Sequence, residues 1–308
     1  MLSLKGKNFL TLADFSVEEL WQILEKAIEI EKNLDKASNI LTGKFLALIF
    51  EKPSTRTKVS FEVAIKQLGG SSISLNWMEM QLGRGETVAD TAKTLERYVD
   101  GVIARVLNHQ TLIELSKNMK IPIINALSNL YHPCQALSDM LTIYKLKGKL
   151  EGLKLAWIGD GNNVCHSLIH ACSKFGLNMG IASPKGYEPK KQILKQAQKE
   201  AKNSGSKIEL TLDPKKAVKD ADIIYTDTFV SMGLEAERKK RLKIFLPKYQ
   251  VTPKLFEYAK KDCIFMHCLP AKRGEEVVDE VIDGSRSVVW FQAENRLHLQ
   301  RGLLALLI

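Results

Sequence analysis

The sequence predicts an α/β protein built from two doubly wound parallel-sheet domains. Three observations predict it. Apolar strand-like runs alternate with segments of helical periodicity; the alternation restarts after the link Gly148-Lys149-Leu150-Glu151-Gly152; and polar clusters fall at the carboxyl ends of the predicted strands, where parallel sheets hold their ligands. The domains are expected over residues 1–147 and 148–294, with no repeats at solenoid periods.

In chain order, Ser16 and Glu19 form a capping box ahead of an amphipathic helix carrying Leu20, Ile23, Leu24, Ala27 and Ile28. Phe45–Phe50 is an apolar run that reads as a buried strand and is broken by Pro53. From Val59, through Val63, Ala64 and Leu68, apolar positions follow helical spacing and stop at Gly69-Gly70. Ser71–Leu75 reads as a strand, Trp77–Gly85 as a polar loop, Glu86–Tyr98 as a helix, Gly101–Val106 as a strand, Thr111–Met119 as a helix and Ile121–Ala126 as a strand. A helix then runs from about Pro133, a tolerated first-turn position for proline, to Leu146.

The second half opens with the strand Leu153–Ile158, the turn Gly159-Asp160-Gly161-Asn162-Asn163 and a helix to Phe175. Asn178–Ala182 is a short strand, Lys185–Lys207 a lysine-rich helical stretch, and Lys207–Leu212 and Asp222–Thr226 are strands. Phe229–Lys248 is charged and is expected to be a long mobile loop followed by a helix. Thr252-Pro253 starts another helix, Cys263–Met266 is a strand, Val288–Ala293 is the last strand-like run, and a helix closes the chain from Asn295.

Composition narrows the function classes. The 308 residues, 45% hydrophobic and 26% charged, are those of a soluble globular protein with a sizeable core. No apolar run approaches the roughly 20 residues that span a bilayer, and the amino terminus lacks the apolar segment of a secretory signal. The five cysteines are odd in number and form no Cys-x-x-Cys pair, which argues for reduced thiols and a cytoplasmic setting. A net charge of +10 suits anionic small molecules or nucleic acid. Much of that excess lies in Lys185–Lys207, which a solvated helix face explains more simply, and there is no interleaved aromatic and basic pattern of a single-strand binder.

The stretch that organises the chain is strand, polar turn, helix start at Ser54-Thr55-Arg56-Thr57. A helix start exposes unpartnered N–H groups and a positive dipole end, so hydroxyls and a guanidinium there make an anion site that a phosphate fits. The alternative is an ordinary helix capped by Ser54 or Thr55. The other clusters are Gln81 in Gln81-Leu82-Gly83-Arg84-Gly85-Glu86, Arg105 at a strand end, His132-Pro133-Cys134-Gln135, Asn163, Asp227 with Ser231-Met232-Gly233, His267-Cys268-Leu269-Pro270, and Arg296. Arg105 stands directly after an apolar strand, where an unpaired guanidinium is costly to bury.

Together, Ser54–Thr57, His132–Gln135, Asp227 with Ser231–Gly233, and His267–Pro270 resemble, in order, the motifs of the aspartate and ornithine carbamoyltransferases, the last two those of the ornithine branch. The resemblance runs from the first helix to Arg296. It implies a carbamoyl-phosphate domain at residues 1–147 onto which the C-terminal helix 295–308 packs back, an ornithine domain at 148–294, interdomain helices joining them, and a homotrimer with active sites at subunit boundaries. Gln81 matches a position that reaches a neighbouring subunit's carbamoyl phosphate. An aspartate enzyme would carry His-Pro-Leu-Pro-Arg in place of His267–Ala271 and a lysine near Gln81. Putrescine and N-acetylornithine enzymes are closer rivals, and the intact Asp227–Gly233 motif favours ornithine.

The implied reaction is attack of ornithine's side-chain amine on the carbonyl carbon of carbamoyl phosphate, giving citrulline and phosphate, in arginine biosynthesis or in arginine or citrulline degradation. Ser54, Thr55, Arg56, Thr57 and Arg296 would hold the phosphate; Arg105 and His132 would polarise the carbonyl; Gln135 would accept from the amide nitrogen. The resemblance places Asn163, Asp227, Ser231 and Met232 on the α-carboxylate and α-amino group of ornithine, and Cys268 with Leu269 beside the reacting amine. That chemistry requires no enzyme nucleophile, metal or cofactor.

Three signals are set aside. His166 and His170, four apart with Cys165 and Cys172 nearby, fit packing better than a metal site because the pattern has no carboxylate. Gly159-Asp160-Gly161 mimics a dinucleotide fingerprint, and an NAD-binding oxidoreductase with it, but Val164 stands where the third glycine belongs. A nucleophilic Cys268 would leave the phosphate cluster without a role.

Overall fold

The computed structural model describes residues 3–231 and 233–308. Along the chain lie α1 (Val17–Lys32), α2 (Leu34–Ala37), β1 (Phe45–Phe50), α3 (Thr55–Gln67), β2 (Ser71–Asn76), α4 (Val88–Leu95), β3 (Gly101–Arg105), α5 (His109–Asn118), β4 (Ile123–Leu127) and α6 (Pro133–Lys147). They continue with β5 (Lys154–Ile158), α7 (Asn163–Phe175), β6 (Asn178–Ala182), α8 (Lys191–Ser204), β7 (Ile208–Thr211), α9 (Pro214–Val218), β8 (Ile223–Thr226), α10 (Arg238–Phe245), β9 (Ile264–His267), α11 (Asp279–Ile282) and α12 (Val289–Leu307). The chain divides into two compact units, Met1–Leu141 with Glu294–Ile308, and Thr142–Ala293, so the divisions fall inside α6 and α12.

The first unit is a parallel sheet in the order β2-β1-β3-β4. The strands read as near-continuous apolar runs because helices cover both faces: Leu46, Leu48, Ile49, Val102, Ile123 and Ile124 are all fully buried. The second unit is a parallel sheet in the order β7-β6-β5-β8-β9, with Trp157 and Tyr225 stacked at 5.4 Å between neighbouring strands. In each sheet the winding reverses once, between β1 and β3 and between β5 and β8. Those reversal points open crevices at the carboxyl ends, where doubly wound sheets bind ligands.

The capping box forms as read: Ser16 Oγ accepts from the Glu19 amide, and the Glu19 carboxylate accepts from the Ser16 amide at 2.8 Å. At the other end of the first unit, α12 lies against α1 at Gly302, where a Cβ would come within 2.6 Å of the Ala27 nitrogen.

Four expectations change. Trp77–Gly85 is wound into two 3-10 helices, Trp77–Glu79 and Gln81–Arg84, closed by Gly85 at φ +100°. The lysine-rich helix is confined to Lys191–Ser204 and stops at Gly205 in the left-handed region. Pro253–Tyr258 is a 3-10 helix. Val288–Ala293 is not a strand: α12 starts at Val289 and runs through it. So short an apolar run carries no period of its own. Here Val289, Gln292 and Arg296 are buried at helical spacing while Trp290 is 67% exposed.

Candidate active site

In the first unit, β1 runs parallel to β3 with Phe50 opposite Arg105, so the helix that follows β1 starts beside the Arg105 side of the crevice. Ser54 is the N-cap of α3, extended at φ −158° and ψ 98°, yet its side chain does not cap the helix, and no acidic residue stands in the first turn. The positive helix end is left for an outside anion. Thr57 is buried, while Thr55 and Arg56 are exposed. The Arg296 guanidinium donates to Thr57 Oγ1 at 2.9 Å and is itself 5% exposed, which brings α12 to the start of α3. Pairing of β3 with β4 shifts register between Ala104 and Arg105, which re-aims Arg105 at the strand end.

His132 and Gln135 stand at the start of α6 and are buried, at 4% and 1% exposure. Burial first, and then the positive charges of Arg296 and Arg105, hold the His132 pKa well below the usual 6.5. The ring is therefore neutral at pH 7 and donates from only one nitrogen. Gln135 Nε2 donates to the buried Asp139 carboxylate at 2.8 Å, which fixes which way the amide faces. Its Oε1 is a buried acceptor with no hydrogen-bond partner among the described residues. Such an atom is open to a donor from outside the chain. Cys134, between them, is structural: its thiol donates to the Asn125 carbonyl and burial pushes its pKa up to about 12. Gln81 is exposed, and no hydrogen bond or ion pair joins it to these residues.

In the second unit, Ile158, Thr226 and His267 lie level across β5, β8 and β9. Asp227 follows at once, 7% exposed, and is the hub of the crevice. Its Oδ2 accepts from Asn162 Nδ2 at 2.7 Å, and its Oδ1 accepts from the Thr228 amide at 2.8 Å and from the Cys268 thiol at 3.2 Å. Asn162 also caps α7, accepting from the Val164 and Cys165 amides. Asn163 is the first residue of α7 and half-buried, as are Ser231 and Leu269. Gly233 is exposed at φ +94°, a conformation open to glycine. Met232 lies outside the described residues. The buried Arg241 pins the segment behind that loop, donating to the Phe229 carbonyl and pairing with Asp160.

The set-aside histidines pack inside the unit: His166 Nε2 accepts from the Lys190 amide at 3.1 Å, and His170 lies 3.6 Å from Glu200. Asp227, His267 and Cys268 bring potential metal donors within 4.8 Å of one another. Both His267 nitrogens are already engaged, however, by the Leu269 amide and by Glu276. Sequence reading missed Asn162, Asp139 and Glu276. Asn162 was legible as an N-cap, an asparagine just ahead of a helix; Asp139 and Glu276 carry no local signal.

Comparison with known proteins decides the family. Residues 7–145 match the aspartate/ornithine carbamoyltransferase carbamoyl-P binding domain, and residues 151–307 match the Asp/Orn binding domain of the same family. The chain belongs to the aspartate/ornithine carbamoyltransferase family. Among its carbamoyltransferase relatives, the ornithine carbamoyltransferase of Pyrococcus horikoshii is 54% identical over 310 residues, covering 100% of this chain and 98% of that protein. The ornithine carbamoyltransferase of Bacillus subtilis is 55% identical over 98% of this chain and 94% of its own length. The solved ornithine carbamoyltransferase from Pyrococcus furiosus superposes with a TM-score of 0.95 at 53% identity, covering 100% of this chain and 98% of that one. The anabolic ornithine carbamoyltransferase of Campylobacter jejuni gives 0.91 at 43%, with 97% of each chain covered.

Proposed function

We propose that this carbamoyltransferase moves the carbamoyl group of carbamoyl phosphate to the side-chain amine of L-ornithine, releasing citrulline and phosphate. The observation that carries the reading is the buried, unpartnered oxygen of Gln135 beside a neutral His132. An amide NH₂ donor satisfies the first, and a carbonyl oxygen acquiring charge accepts from the second. Ornithine as acceptor is supported by the relatives just named and by the Asp227–Cys268 contact in the second unit.

Carbamoyl phosphate lies on the first unit. Ser54, Thr55, Arg56 and Thr57 hold the phosphate with the α3 amides, and Arg296 and Arg105 add charge. Arg105 and His132 take the carbonyl oxygen as it becomes an oxyanion, and Gln135 accepts from the carbamoyl nitrogen. Ornithine lies on the second unit, its α-carboxylate and α-amino group held by Asn163, Asp227, Ser231 and Met232 and its side-chain amine beside Cys268 and Leu269. The amine arrives as an ammonium of pKa near 10 and must lose a proton to attack. A relay through the Cys268 thiol and the Asp227 carboxylate, which are hydrogen-bonded to each other, takes that proton. The C–N bond then forms, the tetrahedral carbon expels phosphate, and the departing phosphate accepts the remaining proton. Holding two substrates together supplies most of the acceleration.

The assembly we propose is a homotrimer with the active site at subunit boundaries, where the exposed Gln81 reaches a neighbour's carbamoyl phosphate. Val59 (52% exposed) on α3, Ile73 (50%) on the edge strand β2 and Met78 (69%) just after it support a self-association surface. Five cysteines outside any disulfide support a reducing, cytoplasmic setting, and among the described residues no helix is long and apolar enough to cross a membrane. The transfer as written joins two small molecules and calls for no metal, organic cofactor or nucleic acid. Citrulline formation with ornithine, putrescine, N-acetylornithine and aspartate offered in parallel tests the reading; turnover confined to any amine other than ornithine overturns it.

A further inference from the structure

Cys268 and Leu269 sit on a turn held from beneath by a buried pair that the reaction itself does not use. His267 and Glu276 are both 0% exposed. The His267 ring accepts at Nδ1 from the Leu269 amide at 2.9 Å and meets Glu276 Oε1 through Nε2 at 3.1 Å. An amide can only donate, so Nδ1 must present its lone pair, and the ring proton lies on Nε2 facing the carboxylate. Glu276 Oε1 also accepts from the Lys272 amide, and the Glu276 carbonyl accepts from the Val251 amide. From the other side, Gln292 Oε1 accepts from the His267 amide at 2.9 Å and its Nε2 donates to the Tyr225 hydroxyl at 3.0 Å.

The held residue is an uncommon one. Leu269 has φ +57°, the left-handed region that side chains other than glycine and asparagine seldom occupy. Such backbone persists only where its surroundings over-determine it, and it gathers at functional sites. The donor that fixes it is one residue from the thiol that touches Asp227.

We infer that His267, locked in one tautomer by Glu276, is a positioning residue that fixes the Cys268–Leu269 turn where the attacking amine is received. This rests on the functional reading above, which puts the ornithine amine at that turn. His267 touches no substrate in this role; it acts through the Leu269 amide. Without it the turn relaxes toward the extended backbone that a residue before proline prefers and carries Cys268 away from Asp227.

The test is steady-state kinetics on the full-length enzyme for His267→Ala, His267→Asn, Glu276→Ala and Glu276→Gln, with carbamoyl-phosphate affinity measured by calorimetry as a check that the first unit is intact. Asparagine can accept from the amide two residues on, as it does in turns, and glutamine can accept from Nε2–H as glutamate does. His267→Ala is expected to raise the ornithine KM and lower kcat, together by roughly 10- to 100-fold in kcat/KM, with carbamoyl-phosphate affinity unchanged. His267→Asn recovers most of that loss. Ornithine kinetics of His267→Ala equal to the parent's, or His267→Asn no better than alanine, overturns the inference. Should His267→Ala fail to fold, the Glu276 pair decides: alanine impaired for ornithine and glutamine restored supports it, and the two behaving alike overturns it. A parent enzyme that makes no citrulline instead overturns the functional reading, and this inference with it.

Discussion

Arg296 and Thr57 stand 239 positions apart in the chain, and a 2.9 Å hydrogen bond joins the guanidinium of one to the hydroxyl of the other. The bond is buried, so both partners are fixed rather than wandering in solvent. It aligns one cation with the open start of α3. Arg56, one residue before Thr57, is exposed, with no ion pair to a carboxylate among the described residues.

That contrast predicts different outcomes for the two arginines. Arg56→Ala should leave the melting temperature of the free enzyme unchanged while abolishing the thermal protection given by carbamoyl phosphate, with kcat/KM lower by roughly 10²–10³. Arg296→Ala should weaken carbamoyl phosphate and destabilise the free enzyme as well, because it leaves a buried hydroxyl without its donor. Full protection of Arg56→Ala by carbamoyl phosphate would mean that the anion site lies elsewhere.

His132 predicts a pH dependence of stability. Its folded pKa is held well below the unfolded value near 6.5, so the unfolded chain binds a proton that the folded chain refuses. The stability contribution is complete above pH 6.5 and is lost as pH falls from there toward the folded pKa. His132→Gln removes the titration, and its denaturation midpoint should fall less steeply than the parent's between pH 6.5 and 5. Parallel curves for the two would contradict the assignment.

Asp139 orients Gln135 through the buried 2.8 Å hydrogen bond it accepts. In Asp139→Asn the new amide can pair with either end of Gln135, so its oxygen is no longer committed to face outward. The expected result is a carbamoyl-phosphate KM raised by about tenfold, the order of one lost or misdirected hydrogen bond, with the ornithine KM unaltered. Equal rises in both would point to general loosening instead.

Phe229–Lys248 is expected to close over ornithine, and Arg241 sets where it can move. The Arg241 links to Phe229 and Asp160 anchor both flanks of the segment, leaving its glycine-containing tip, with exposed Gly233, Glu235 and Glu237, to shift. Limited proteolysis should cut at this tip in the free enzyme and be suppressed by carbamoyl phosphate with an ornithine analogue. Cleavage at an undiminished rate would count against closure.

Gly302→Ala should destabilise despite alanine's advantage of about 1 kcal/mol over glycine within a helix. The new Cβ would meet backbone atoms of Ala27 at 2.6 and 2.8 Å, and backbone cannot step aside as a side-chain tip can. Overpacking of this kind typically costs about 1–3 kcal/mol, read as a lower melting temperature.

Much of this molecule could be read from its sequence because its strands are buried on both faces and its turns carry strong chemistry. Phe45–Phe50 and Asn178–Ala182 coincide with the observed strands. The Ser54 and His132 clusters stand at the crevice the β1–β3 reversal opens, and Asn163 and Asp227 at that between β5 and β8. The failures have physical causes. Val288–Ala293 is short and largely apolar and opens on two β-branched valines, so only its continuation into α12 reveals a helix. Glu276 and Asp139 act across the fold on residues whose motifs are visible, and no periodicity reports a long-range contact. Asn162 is visible in the sequence only as an N-cap, because its bond to Asp227 joins positions 65 apart.

The first unit is discontinuous: its last helical segment, Glu294–Ile308, follows the whole of Thr142–Ala293. On a ribosome, the intervening unit has therefore been synthesised in full before the partner of Thr57 is added. The earlier-made sheet must wait, the start of α3 lacking the Arg296 contact, while a later-made one finishes. Released chains truncated just before Arg296 should accordingly hold a folded second unit and a first unit that has yet to acquire its full grip on phosphate.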